Sequence, residues 1–336
     1  MIGNNYIDII YLLKCALSGK NPNADRASLM DNEAIKKISK KHKISGLVAK
    51  SLESVDNTGY WVKIKNSCIK RTILFDAERK KLYKFMDDNK IWYLPLKGII
   101  ITNYYPEYGI REFTDNDILF DKKYAEMIRD YFVSQNYEVK MFNKENHDVY
   151  HKEPIYNFEM HTSLFNEISG KVQNEYYKNI FDKVIKREGK YEVSLNDNDF
   201  YVYFMAHAVK HYSRNGTGLR TLVDIYILLK KLNLDWQYVK CELDKMDLLD
   251  KANELKELAI ALFDGLPLTE EQELLFDKIC QMGVYGTYKT RIDNELSKKN
   301  KQSYLMERLF MPIESIKLAY PVVYRHKILL PGFYAW

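Results

Sequence analysis

Apolar residues change their spacing twice along the chain, and the two changes divide it. From Met1 to Asp88 they recur three and four apart. Tyr6, Ile9, Ile10, Leu12 and Leu13 come first, then a segment that starts near Ser28 or Asp31 and runs to His42, then Ile44–Leu52. That spacing predicts helices, each burying one stripe. Asn21–Ala24 reads as a loop and Gly59 as a break. Trp61–Asp87 follows as one long amphipathic helix, with Ile64, Cys68, Ile73, Leu74, Leu82 and Phe85 on its apolar stripe and a solvated face of lysines opposite.

From Ile91 the pattern shortens. Ile91–Leu96 is an apolar run of strand length closed by Lys97-Gly98, and Ile99–Tyr105 is a short helix that Pro106 ends. Phe113–Phe120 reads as a second strand, Tyr124–Asn136 as a helix and Tyr137–Phe142 as a strand. A turn over Asn143–Asn146, a return strand His147–His151 and an alternating strand Ile155–Leu164 complete the segment. Strand, helix, strand, helix and then three strands predicts an α+β arrangement, because a doubly wound sheet requires strict alternation.

After Asn196 the helical period returns, over Asp199–Tyr212, Leu219–Leu232, Trp236–Asp247 and Lys251–Phe263. Another helix opens at Thr269, with Glu271 and Gln272, after the break Gly265-Leu266-Pro267. Residues 283–300 read as a polar connection. The tail 303–336, ending LLPGFYAW, reads as apolar residues docking on the body. Three regions result: helical residues 1–88, an α+β core over 89–195, and a helical domain over 196–336.

Composition narrows the class. The 336 residues are 46% hydrophobic and 29% charged, which is ordinary for a globular protein. The net charge of +5 is too small and dispersed to indicate nucleic acid, and no DNA partner is expected. The 27 Tyr and 15 Phe read as core and pocket walls. Cys15, Cys68, Cys241 and Cys280 lie far apart, so neither a zinc site nor a disulfide framework is indicated, and a reducing cytoplasm is the expected compartment. Asp8 and Lys14 interrupt any signal-like apolar run, and no stretch suits a membrane span.

The candidate chemistry lies in the middle region. On the Phe113–Phe120 strand, Asp115 and Asp117 share one face while Asn116 and Ile118 take the other. Carboxylates that close repel unless a cation lies between them. Oxygen ligands suit Mg²⁺ or Mn²⁺, whereas a turn cluster of Asp and Asn side chains is the plainer alternative. A third carboxylate favours the metal: Ile155–Leu164 alternates so that Asn157, Glu159 and His161 face one way and Phe158 and Met160 the other. If the two strands pair, Glu159 completes a cluster of the kind that holds metal ions for nucleotidyl transfer. Farther on, His207 and His211 lie four apart beside Lys210, and Arg220 stands four before Asp224, a spacing that suits an ion pair.

The ordered set LKG, YPEYGIR, DNDILF and NFEMH resembles the nucleotidyltransferase superfamily related to DNA polymerase beta, and within it a bacterial group described as uncharacterised nucleotidyltransferases. The resemblance covers roughly Asn89–Leu164. It implies a mixed sheet flanked by helices, a nucleoside triphosphate donor, Asp115 and Asp117 as metal ligands, and Glu159 as the third carboxylate. By the same resemblance Lys97, Gly98, Arg111, His161 and Lys210 lie at the nucleotide, with His211, Arg220 and Asp224 on the pocket wall. The chain departs from the wider pattern at Lys97-Gly98, where most relatives carry Gly-Ser. The acceptor is open among a small molecule, a protein side chain and an RNA end. Two other readings stand beside this one: a DxD glycosyltransferase, and a catalytically silent nucleotide-binding module of the same fold.

Overall fold

Asp31, not Ser28, opens the helix that ends at His42, because its carboxylate accepts from the N–H groups of Glu33 and Ala34. Ser28 instead ends a short helix capped by Asn23, so residue 24, expected in a loop, is helical. In the computed structural model, which describes residues 3–214, 216–284 and 325–326, the helices α1 (Asn4–Ser18), α2 (Ala24–Ser28), α3 (Asn32–His42), α4 (Ser45–Leu52) and α5 (Tyr60–Asp88) come first. They are followed by β1 (Tyr93–Pro95), α6 (Gly98–Ile101), β2 (Asn116–Phe120), α7 (Ala125–Ser134), β3 (Glu138–Met141), β4 (His147–Lys152) and β5 (Tyr156–His161). The chain continues through α8 (Glu167–Tyr176), α9 (Asp197–Arg214), α10 (Leu219–Lys231), α11 (Trp236–Asp244), α12 (Leu249–Asp264) and α13 (Glu270–Met282). Thr269 and Gln272 form a capping box at the last of these, as their spacing predicts. The expected connection and tail lie outside the described residues, apart from positions 283–284 and 325–326.

The α+β expectation holds. The five strands form one mixed sheet in the order β1-β2-β5-β4-β3, with β2 and β5 parallel and the other pairs antiparallel. The strand expected over Phe113–Phe120 is shorter than its apolar pattern, and the reason is visible. Arg220 donates to the carbonyl of Glu112 and Arg71 to that of Phe113, so side chains rather than a neighbouring strand bind this backbone. Asp115 therefore sits one residue before β2.

Alternation sorts the sheet into two faces. Ile118, Phe120, Tyr150, Phe158 and Met160 point to the back, where α5 and α7 cover them with Phe75, Leu82, Ile128 and Phe132. Each such fully buried side chain contributes about 1.5–3 kcal/mol. The buried stripe of α5 is Phe75, Leu82 and Met86, and Ile73, expected on it, is 52% exposed because it lies on the opposite side of the turn. A second core joins α1, α3, α4, α9, α10 and α12 to Leu94 and Leu119 of the sheet.

His42, fully buried in that second core, ties three helices together. Its Nδ1 accepts the Leu219 N–H at 3.1 Å, and its Nε2 lies 3.4 Å from the Tyr6 hydroxyl, which donates to the Cys280 carbonyl. Burial first, and then the Lys41 charge, pull its pKa down to about 4. The folded value lies below the unfolded one, so protons favour the unfolded chain. Stability is full above about pH 6.5 and declines as pH falls toward 4, by about 3 kcal/mol at the end of that window. Urea unfolding at pH 7 and pH 4.5 should show that loss in the wild type and a smaller one in His42→Asn, whose amide oxygen keeps the acceptor. An equal fall in both proteins would place the sensitivity elsewhere.

Candidate active site

The parallel register of β2 and β5 sets Asp117 directly opposite Glu159 and Leu119 opposite His161. Neighbouring strands run about 4.8 Å apart with opposed side chains on one face, so Asp117 and Glu159 stand side by side, and His161, two residues on, joins them. One ligand atom from each of Asp117, Glu159 and His161 lies within 4.8 Å of the other two. On β4, His147 pairs with His161 and comes onto the same face, its Nε2 3.9 Å from a Glu159 oxygen.

Lys97 reaches this cluster from the turn between β1 and α6. Its ammonium donates to Asp117 Oδ1 at 2.9 Å, and His161 Nε2 lies 2.8 Å from the same oxygen. The turn holds Lys97 at φ 43°, ψ −111°, a conformation that glycine adopts freely and a lysine only under strain of about 1–3 kcal/mol. This is the position at which the wider superfamily carries glycine. The next residue explains the missing serine: a Cβ on Gly98 would lie 2.5 Å from Arg111 Nη1. That guanidinium cannot swing aside, because its Nε and Nη2 hold both oxygens of Asp224 at 2.9 and 2.8 Å, with both side chains buried. Gly98→Ser should therefore cost about 1–3 kcal/mol by overpacking. A melting temperature equal to that of the wild type would show that Arg111 yields.

The charges are unequally balanced. Burial pushes Asp117 up, but the Lys97 charge and the His161 hydrogen bond outweigh it and hold its carboxyl well below the usual carboxylate range. Glu159 moves the other way, raised by burial and then by the charges of Asp117 and Asp115, which Lys97 only partly offsets. Asp115 is raised by burial and by Asp117. Burial works against the Lys97 ammonium, yet the surrounding carboxylates keep it protonated. The Lys97 ammonium thus serves three carboxylates, with the Arg220 charge helping at Asp115, and a further cation among them would relieve the repulsion. His161 Nδ1 is buried without a partner among the described residues.

Across from the sheet, α9 presents Phe204, His207, Lys210 and His211, and α10 presents Arg220. His207 and His211 share a hydrogen bond of 3.0 Å between their Nε2 atoms. Lys210, stacked on the Phe165 ring, is pulled down to about 8 by burial and then by Lys97. Lys97, Gly98, Arg111, Asp115, Asp117, Glu159, His161 and Lys210 all line one cavity of about 330 Å³. Asp115 borders it but stands outside the close trio, whose third member is His161. The ion pair expected between Arg220 and Asp224 is not formed: Asp224 takes Arg111 and the Tyr105 hydroxyl, and Arg220 turns to the Glu112 carbonyl. Sequence spacing gave no sign of His147, which only the pairing of β4 with β5 brings to the site.

No curated protein matches the chain. A solved structure, an antigenic nucleotidyltransferase-like protein from Paracoccidioides brasiliensis, is similar at 14% identity and a TM-score of 0.35, over 58% of this chain and 96% of that one. A family model described as uncharacterised nucleotidyltransferase matches residues 28–264, most of the chain and the whole of the site built above. The chain belongs to that uncharacterised nucleotidyltransferase family.

Proposed function

We propose that the protein transfers a nucleoside monophosphate from a nucleoside triphosphate to an acceptor hydroxyl, with release of pyrophosphate, in a reaction that depends on Mg²⁺ or Mn²⁺. The observation that carries this is the convergence of Asp117, Glu159 and His161 beside Asp115 and Lys97 in one cavity. Two carboxylates suit either ion, and the imidazole nitrogen favours Mn²⁺. Asp117, Glu159 and His161 would hold the ion and Asp115 adds charge beside it. The bound ion would neutralise the phosphates.

The protein groups do the rest. Lys97 exchanges its contact with Asp117 for the phosphate tail, assisted by the Gly98 turn and by Arg111 Nη1. Lys210 faces the departing pyrophosphate from the opposite wall. The acceptor oxygen attacks the α-phosphorus, the bond to pyrophosphate breaks with its electron pair, and Glu159 takes the hydroxyl proton. A glycosyltransferase reading is disfavoured by the helices that precede the acidic motif and by the family match.

Calorimetric titration with each of the four NTPs, with and without Mg²⁺ or Mn²⁺, tests the proposal. Binding is expected only with the ion, and is lost when Asp115→Asn and Asp117→Asn are combined. A wild type that binds no nucleotide would leave no enzyme to describe.

A further inference from the structure

The front face of the sheet does not end at the metal cavity. Strand pairing sets Val149 opposite Glu159, His151 opposite Asn157 and Glu138 opposite His151, so the polar face runs on from Glu159 across β5, β4 and β3. A second cleft, of about 620 Å³, lies over this extension. Thr114 borders both cavities, so they adjoin at the residue before Asp115.

Two features of this cleft ask for a ligand. The side-chain oxygen of Asn157 is buried and accepts no hydrogen bond among the described residues, although Asn157 lines the cleft. Buried acceptors are nearly always satisfied, so a turn of the amide toward the cleft would let an O–H or N–H donor of a bound molecule complete it. Arg71 is the second. Its Nε donates to the Phe113 carbonyl and its guanidinium lies over the Phe75 ring, but among the described residues no carboxylate pairs with it. Its terminal nitrogens remain for an anion. The other cations here are engaged: Lys140 lies 2.6 Å from Glu138, and Lys152 donates to the Gln135 carbonyl.

We propose that this cleft, bordered by Thr114, Arg71, His151 and Asn157, is the acceptor subsite, and that it takes a sugar or polyol bearing a phosphate. The assignment rests on reading the adjoining cavity as the nucleotide site. Asn157 and Glu159 lie two residues apart on one strand face, about 7 Å along it, which is about the span of a pentose. Arg71 holds the acceptor's phosphate as a fork of donors, Asn157 accepts from one of its hydroxyls, and another hydroxyl reaches Glu159. That hydroxyl oxygen forms the new bond to the α-phosphorus as pyrophosphate leaves with the electron pair of the broken bond. Its proton goes to Glu159. The same chemistry is offered by a free sugar phosphate and by the terminal ribose of an RNA strand.

The test uses the full chain with Mn²⁺ and a nucleotide whose α,β-bridging oxygen is replaced by methylene, so that binding is read without turnover. Three probes are titrated calorimetrically: ribose 5-phosphate, a short RNA with a free 3′ hydroxyl, and ribose. The wild type should bind one or both phosphorylated probes at least tenfold more tightly than ribose. Preference for the RNA identifies a strand end, and preference for ribose 5-phosphate identifies a free acceptor. Asn157→Leu and Arg71→Met should each weaken the preferred probe about tenfold while nucleotide affinity stays within twofold. Asn157→Leu keeps the test decisive if Arg71→Met, which also loses the bond to Phe113, fails to fold. The proposal is overturned if ribose binds as tightly as the phosphorylated probes, if neither variant changes probe affinity, or if nucleotide and probe weaken together. A wild type that binds nucleotide but no probe rejects the acceptor subsite alone, whereas one that binds no nucleotide rejects the nucleotide site and the subsite with it.

Discussion

Glu159→Gln is expected to lower nucleotidyl transfer by about 10³-fold or more while leaving the folded protein more stable than the wild type. The substitution keeps the shape of the side chain. It removes a proton acceptor and a negative ligand, losses that each typically cost two to three orders of magnitude, about 10²–10³-fold. The stability gain comes from the same geometry: Glu159 faces Asp117 across the strand pair, is repelled by Asp117 and Asp115, and shares one lysine with them. Burial and that repulsion raise its pKa to about 8, so at pH 7 folding must take up a proton or hold the charge, and a neutral amide removes either cost. Rates of pyrophosphate release and urea unfolding at pH 7 without divalent ions check the two halves separately. A variant that is inactive and also less stable would mean that Glu159 holds the sheet together, and the catalytic assignment would lose its main support.

Breaking the buried pair between Arg111 and Asp224 should have the largest effect on the fold. Asp224→Leu leaves a guanidinium that is 7% exposed without its paired carboxylate, only the more distant Asp115 charge remaining, and deprives the Tyr105 hydroxyl of its acceptor. An unpartnered buried charge of this kind costs about 3–5 kcal/mol. Removing both charges in Arg111→Met with Asp224→Leu should recover most of that loss, because apolar residues of similar volume often replace a buried pair without penalty. The double variant then separates architecture from chemistry. It should fold yet bind nucleoside triphosphate more weakly, since Arg111 Nη1 borders the cavity beside Gly98. Unfolding free energies of the two single variants and the double variant measure the coupling, and unchanged nucleotide affinity in a folded double variant would remove Arg111 from the site.

The Lys97-Gly98 turn shows how far a local departure can be understood only through distant residues. In the sequence it reads as the loss of a serine. In the structure the space for a side chain at position 98 is filled by a guanidinium from position 111, which a carboxylate at position 224 fixes. Lys97 meanwhile spends backbone strain to place its ammonium on Asp117. The three residues form one arrangement, and none of them explains itself alone.

From β1 to β5 the order of strands and helices is legible in the sequence, and so is the polar side of β2 and of β5, whereas α2 and α8 left no such mark. Both follow from local sterics: a period of two separates Glu159 and His161 from Phe158 and Met160 whatever the strand pairs with. Capping at Asp31 and Thr269 is local in the same way. Long-range packing sets β2 and β5 side by side in the register that joins Asp117 to Glu159, and makes His161 complete the trio while Asp115 stands beside it. It also decided that Asp224 takes Arg111 in place of Arg220 and that His147 reaches the site. These contacts join residues tens of positions apart, and packing of the apolar back face on α5 and α7 fixes them, a many-body choice that no local spacing encodes.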